Sequence, residues 1–261
     1  MDRSKDINPG IVCLSQPEQV DMADAWYEFA QANHFWIKSR FRAIQSQLKG
    51  YTVGKRFLEI GCGHGVVITQ FEDAYGTTVD GCDLNMLALN QIKNTKGTVY
   101  CLDICDQPHD MMEAYDGVLL LDVIEHIDDH VSFLQTSLRY AKPGGLVVIN
   151  VPALNTLFSK YDTAAGHKRR YTKKTMRKLL EDCGVEDIKM AYWGFSLLPI
   201  AVIRKFILRF VREEKIIATG FKTPGEFSNH VLNALLKTEN ALLKKPPLGT
   251  SLIAIGRVKH A

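Results

Sequence analysis

The chain reads as an α/β protein, a mostly parallel sheet with helices on both faces. Three observations carry that reading. Short apolar runs alternate with helix-like segments from residue 56 to residue 193. Four successive runs end in or beside a carboxylate: Glu59, Asp83, Asp103 and Asp122. Between the first run and the helix after it stand three glycines at alternate positions, Gly61, Gly63 and Gly65. Glycine lets a chain turn sharply at a strand end and approach a ligand with no Cβ in the way.

In chain order, residues 18–48 repeat apolar and aromatic side chains at helical spacing, with no internal Pro or Gly. Strands are predicted near 56–60, 78–82, 98–102, 115–121 and 145–150, with helices between them. Pro143, Gly144 and Gly145 mark the turn into the fifth strand. A loop-rich segment spans 152–171. A helix at 173–182 stops at Gly184, and a strand covers 186–193. Helical segments at 195–211 and 231–243 precede a last strand at 251–258. The expected organisation is one domain over 1–261: an N-terminal helical lid (1–50), a core (51–193), a helical insertion (194–250) and the last strand (251–261).

With 261 residues, 46% of them hydrophobic, the chain can bury a substantial core. Asp2, Arg3, Lys5 and Asp6 have no apolar stretch behind them, which argues against a secretory signal. Six scattered cysteines (Cys13, Cys62, Cys82, Cys101, Cys105, Cys183) fit reduced thiols in a cytoplasmic protein. Cys101 and Cys105 lack a second pair, so no zinc site is expected. Charge is uneven. Residues 1–159 carry 12 Lys+Arg against 20 Asp+Glu, net −8, and residues 160–261 carry 20 against 9, net +11. A basic second half points to an anionic substrate or an anionic surface.

The glycine spacing differs from the dinucleotide pattern G-x-G-x-x-G, which argues against a nicotinamide-dependent oxidoreductase. With Glu59 two residues ahead, the run E-x-G-x-G-x-G resembles the first motif of class I S-adenosylmethionine-dependent methyltransferases. The resemblance covers roughly residues 50–190 and implies roles by position. Glu59 orients the ammonium side of the cofactor. Gly61, Cys62 and Gly63 form the turn beneath its methionine part. Asp83, with Leu84 beside it, grips ribose hydroxyls. Asp103 and Ile104 hold the adenine. Leu121 and Asp122 meet the methionine ammonium, and His126 borders the same site. The family fold adds a seventh strand, the last, running antiparallel. The implied product is S-adenosylhomocysteine.

Three regions lie outside these motifs. On the N-terminal helix, Tyr27 and His34 are candidates for acceptor contacts. Trp36 and Arg40 are candidates for the cofactor, since a guanidinium matches a carboxylate. Core packing explains the same aromatic density. The run Gly166-His167-Lys168-Arg169-Arg170-Tyr171 resembles a signature of a bacterial subgroup found among genes of cell-surface glycan or polyprenyl-phosphate metabolism. There His167 is a candidate general base, Tyr161 or Tyr171 is a candidate to orient the acceptor, and Arg169 or Arg170 to bind a phosphate or carboxylate on it. The bland alternative is a basic surface loop. Within the apolar stretch 195–212, residues 202–212 project as an amphipathic helix, with Arg204, Lys205, Arg209 and Arg212 opposite Ile203, Phe206, Ile207, Phe210 and Val211. Such a helix fits the chain's own core, a homodimer, or a peripheral contact with the inner membrane face.

The run D-x-x-E-H at Asp122, Glu125 and His126 resembles one that holds a divalent cation in ubiquinone-pathway O-methyltransferases. Many relatives carry it as plain structure, and no metal is assigned. His126 is a second candidate base. The expected reaction is O-methylation of a small or lipid-linked anionic metabolite, with N- or C-methylation as the alternative. An idle cofactor-binding module is the rival from another class. Nucleic acid is not an expected partner, since no N/D-P-P-Y/F run follows Leu121.

Overall fold

A computed structural model of the chain describes residues 10–18, 32–212, 215–216, 219, 225–243 and 245–259. Its strands are β1 (Ile11–Cys13), β2 (Arg56–Ile60), β3 (Thr78–Asp83), β4 (Val99–Cys101), β5 (Tyr115–Leu121), β6 (Ala141–Pro152), β7 (Val185–Trp193) and β8 (Ser251–Val258). They form one sheet in the order β1-β4-β3-β2-β5-β6-β8-β7. The first six strands in that order pair in parallel, and β8 runs antiparallel to both β6 and β7. The helices are α1 (Phe35–Leu48), α2 (Val66–Tyr75), α3 (Met86–Leu89), α4 (His130–Leu138), α5 (Lys160–Ala164), α6 (Lys173–Asp182), α7 (Leu198–Ile207) and α8 (Glu226–Leu242).

Side chains of the central strands alternate between two buried faces. Leu58, Ile60, Val118, Leu120, Val147 and Ile149 pack in one apolar cluster. Phe57, Leu119, Leu146 and Val148 pack with Phe71 in the other. A strand covered on both faces reads as a continuous apolar run, which is why these elements are legible in the sequence. Strand order reverses between β2 and β5, so their carboxyl ends open a crevice where α/β sheets bind ligands.

Three expectations are corrected. The sheet has eight strands, not seven. The added β1 pairs with β4 from Ile11–Val99 to Cys13–Cys101, and three residues are too short to show a period. Within the described residues, the helix predicted over 18–48 is broken at 32–34, which form a turn, and runs from Phe35, capped by His34 accepting from the Trp36 N–H; residues 19–31 lie outside the described residues. Tyr27 lies outside the described residues. The turn at Pro143–Gly145 falls within β6: Ala141 pairs with Tyr115 and Leu146 with Gly117, so five steps on β6 face two on β5.

The helical insertion is tied to the core. Asn229 of α8 accepts from the Phe35 N–H at 2.9 Å, and Asn233 accepts from Arg42 at 2.7 Å. Glu239 accepts from the N–H groups of Phe195 and Ser196, just ahead of α7.

At the turn after β2, Gly61 has φ of +70°, and a Cβ there would lie 2.7 Å from Val123 Cγ2. We expect Gly61→Ala to cost about 1–3 kcal/mol, from left-handed backbone strain and overpacking. Urea unfolding measures this, and an unshifted midpoint would refute the account.

Candidate active site

A cavity of about 870 Å³ lies over the carboxyl ends of β2–β5, in the upper part of the range of roughly 300–1,000 Å³ for small-molecule sites. The glycine turn forms its floor. The N–H groups of Gly61 and Cys62 both donate to Cys82 O, at 2.8 and 3.0 Å. Asp83 accepts from the Gly63 N–H on one oxygen and the Asn85 N–H on the other, each at 2.9 Å. The acid at the end of β3 therefore fixes the turn at the end of β2 while bordering the cavity. Leu84 lines the same stretch.

Beyond it, Asp103 caps a short turn by accepting from the Cys105 N–H at 2.9 Å, and Leu102 and Ile104 form apolar wall. The segment after β1 closes this end. Ser15 Oγ accepts from the Asp103 N–H and donates to Asp106, and the Glu18 N–H donates to Leu84 O. Sequence reading missed that contribution, since nothing local marks residues 14–18.

At the switch point, the buried Arg40 and the partly exposed Asp122 form an ion pair at 2.6 Å. Asn150 Nδ2 donates to the other Asp122 oxygen at 2.8 Å, and Trp193 Nε1 donates to Asn150 Oδ1 at 2.9 Å. The Arg40 guanidinium lies 5.0 Å from the Trp36 ring, which packs on Trp193. Arg40 thus has a carboxylate partner inside the protein, which sequence reading did not anticipate. Its Nε is buried and has no hydrogen-bond partner among the described residues, as is Glu59 Oε2. Both residues face the cavity. An amino-acid ammonium and carboxylate would satisfy this acceptor and this donor, so the site fits the methionine end of S-adenosylmethionine. His34 also lines the cavity, but its Nδ1 is used in capping α1 and burial pushes its pKa down to about 4.

The loop after β6 supplies the other wall. Asp162 is fully buried. It accepts from Arg170 Nε at 2.7 Å and lies 3.0 Å from His167 Nδ1. Its second oxygen accepts from Ser159, closing a capping box at the start of α5. Burial opposes ionisation of Asp162, but the His167 hydrogen bond and the Arg170 charge outweigh it and hold the pKa at about 2. Tyr161 and Arg170 line the cavity as predicted, and Arg204 of α7 joins them, its guanidinium 4.5 Å from the Tyr161 ring. Burial raises the Tyr161 phenol to about 12. Asp162 and Arg204 are the residues sequence reading left out of the site.

Two candidates are not brought there. Tyr171 is buried in the core, its hydroxyl 3.4 Å from Ile124 O. Arg169 donates to Ile127 O and Asp128 O and contacts His130, stapling the loop down. Asp122 does not join Glu125 and His126 in a group of possible metal ligands among the described residues. Instead Glu125, His126 and His167 bring ligand atoms within 4.8 Å of one another. Burial, reinforced by Asp122, pushes the Glu125 carboxyl well above its ordinary range, which opposes the deprotonated form a metal requires.

Burial also raises Glu59 to about 8, against the opposing pull of Arg40. Below that pH the empty site holds a proton that a bound cation displaces. We expect S-adenosylmethionine binding to release about one proton at pH 7 and to tighten as pH rises toward 8. Calorimetry in buffers of different ionisation enthalpy reads this. A buffer-independent enthalpy, or one that Glu59→Gln leaves buffer-dependent, contradicts it.

A family model for a methyltransferase domain matches residues 23–189. A ubiquinone biosynthesis O-methyltransferase of Pseudomonas savastanoi pv. phaseolicola is 32% identical over 100 residues, 36% of this chain and 43% of that protein. The aligned part spans less than half of that relative's length. Phosphoethanolamine N-methyltransferase 2 of Haemonchus contortus, solved with phosphomonomethylethanolamine and S-adenosylhomocysteine, superposes with a TM-score of 0.58 at 21% identity, covering 92% of this chain and 57% of that one. A methyltransferase in complex with the Haloferax volcanii Trm112 methyltransferase activator gives 0.62 at 16% identity, covering 93% and 100%. At these identities the structural likeness is one of fold. The match over residues 23–189, on this sheet order and glycine turn, places the chain in the S-adenosylmethionine-dependent class I methyltransferase family.

Proposed function

We propose that this methyltransferase acts on an oxygen of a small or lipid-linked anionic acceptor, with His167 as general base. The observation that carries the reading is the Asp162–His167 pair set in the cavity wall beside Arg170 and Arg204. S-adenosylmethionine supplies a sulfonium-activated methyl group, so the protein's tasks are to align the acceptor, exclude water and take a proton. Asp162 receives the Nδ1–H of His167 and leaves Nε2 as the basic nitrogen. The acceptor's hydroxyl proton passes to Nε2, and the buried Asp162 carboxylate stabilises the imidazolium. His126 packs edge-on against His167 at 4.8 Å, and burial lowers its pKa to about 4. It is a poor base at neutral pH and serves as packing.

On the cofactor side, Glu59 and Arg40 receive the ammonium and carboxylate, Asp83 the ribose, and Asp103 with Ile104 the adenine. Gly61–Gly63, Leu121 and Asp122 shape the floor, and Trp36 the wall. Arg204 and Arg170 face the acceptor side and favour an anionic group there. The relative named for ubiquinone biosynthesis is an O-methyltransferase, which supports oxygen over nitrogen or carbon as the accepting atom. The residues act as one methyltransferase domain with a helical insertion.

Asp83→Ala is expected to weaken S-adenosylhomocysteine binding at least tenfold by calorimetry. Affinity within twofold of wild type would remove Asp83 from the site. His167→Ala is expected to lower methyl transfer to anionic extract acceptors about 100-fold or more while leaving S-adenosylhomocysteine affinity within about twofold. Asp162→Asn should move the pH–rate profile. Preserved turnover in His167→Ala would make that histidine structural.

A further inference from the structure

Helix α7 is inverted relative to an ordinary surface helix. Leu197, Ala201, Arg204 and Leu208 recur at helical spacing and line the cavity. Phe206, and Phe210 in the turn after the helix, face outward and are 56% and 89% exposed, and Ile203 and Ile207 at the cavity rim are 59% and 52% exposed. A soluble helix turns its apolar stripe to the core and its charges to water. Here an arginine points inward and the phenylalanines point out.

The surroundings of this stripe indicate what covers it. Residues 195–212 contain no acidic residue. Lys160, Arg209, Arg212 and Lys215 are exposed around the far end of the helix, and Arg209 stacks over Phe206 at 4.9 Å. Glu213 and Glu214 follow in sequence, outside the described residues. Against a second copy of this chain, a two-fold contact through the stripe would bring like charges together. Against an anionic lipid surface the same cations are complementary. The helix is about 15 Å long, and among the described residues no helix is long and apolar enough to cross a membrane. This stripe can lie in the interface plane.

The stripe is also continuous with the cavity. Ile203 and Ile207 are both exposed and part of the cavity lining, and Leu232 of α8 lines the same region. We propose that α7 seats on an anionic lipid bilayer and that the cavity takes its acceptor from that bilayer, an amphiphile whose anionic group meets Arg204 while its hydrocarbon part stays along Ile203 and Ile207. This deepens the acceptor reading above and rests on it. The polar atom to be methylated enters beside His167, and the remainder of the molecule need not leave the lipid.

The test is flotation of the full chain with vesicles of phosphatidylglycerol and phosphatidylethanolamine, and with phosphatidylcholine alone. It compares wild type with Phe206→Ser/Phe210→Ser, a pair outside the cavity lining. S-adenosylhomocysteine calorimetry on both proteins checks fold and site, and sedimentation velocity gives oligomeric state. The expected result is capture by anionic vesicles, weaker capture by phosphatidylcholine, and a loss of about tenfold or more in the double variant, with S-adenosylhomocysteine affinity unchanged. No capture of a wild type that binds S-adenosylhomocysteine overturns this inference and leaves the methyltransferase reading standing. A wild-type dimer that the variant splits, without vesicle capture, assigns the stripe to a second copy and overturns it equally. Loss of S-adenosylhomocysteine binding in wild type would instead undermine the cofactor reading on which both rest.

Discussion

The largely buried ion pair between Arg40 and Asp122 holds together the parts that make the site. It joins α1 to the end of β5, and Asn150 and Trp193 extend it across β6 to β7. A charge pair taken out of water costs several kcal/mol per ion unless other groups satisfy it. Here both Asp122 oxygens are engaged and the guanidinium lies against Trp36. Asp122 adopts φ of +62°, a left-handed backbone that aspartate tolerates better than most residues. The backbone at the end of β5 is thus fixed from three sides, and Leu121, Asp122 and Val123 can border the cavity without collapsing into it.

Around that pair, two buried carboxylates are driven in opposite directions. Glu59 has an unpartnered oxygen and rises to about 8. Asp162 has His167, Arg170 and Ser159 and stays at about 2. Burial raises both, and what separates them is the partners the protein itself provides. A carboxyl left incomplete at one end of a cavity is a place for a ligand's charge. A carboxylate completed by the protein, as Asp162 is, is a fixed charge that orients an imidazole. The asymmetry is what the proposed division of work draws on, ligand binding at Glu59 and proton handling at His167.

The cofactor half was legible because its signals are local. The Gly61–Gly65 spacing, and acids that follow apolar runs, are visible in windows of ten residues. Each lands on the carboxyl edge because a parallel sheet puts every strand end on one side. The acceptor half was only partly legible. His167, Arg170 and Tyr161 were found within one loop, but Tyr171 and Arg169 in that loop turn into the core and onto Ile127 and Asp128. Side-chain direction in a loop has no period to read. Asp162 carried a signal that went unused, a serine three residues ahead of an acid at a helix start. The capping role does not exhaust that carboxylate, since its other oxygen serves His167. Ser15 and Glu18 reach the site through a strand of three residues, below the length at which alternation shows.

Arg204 was missed for a different reason. The projection of residues 202–212 grouped Arg204 with Arg209 and Arg212, but only Arg204 faces the cavity; Arg209 and Arg212 are exposed, and Val211, placed on the apolar arc, packs on the buried cluster of Tyr161 and Leu208. Hydrophobicity alone would put Phe206 and Phe210 inside. In the structure Arg204 lines the cavity with its guanidinium 4.5 Å from the Tyr161 ring, and an arginine stem can cover apolar surface while its head reaches a polar contact. Once Arg204 turns inward, the 100° step per residue carries Phe206 and Phe210 outward. The exposed stripe is therefore a geometric consequence of supplying a charge to the cavity from a single short helix. A cation on the inner face and an apolar outer face both suit an acceptor with an anionic head and a hydrocarbon body.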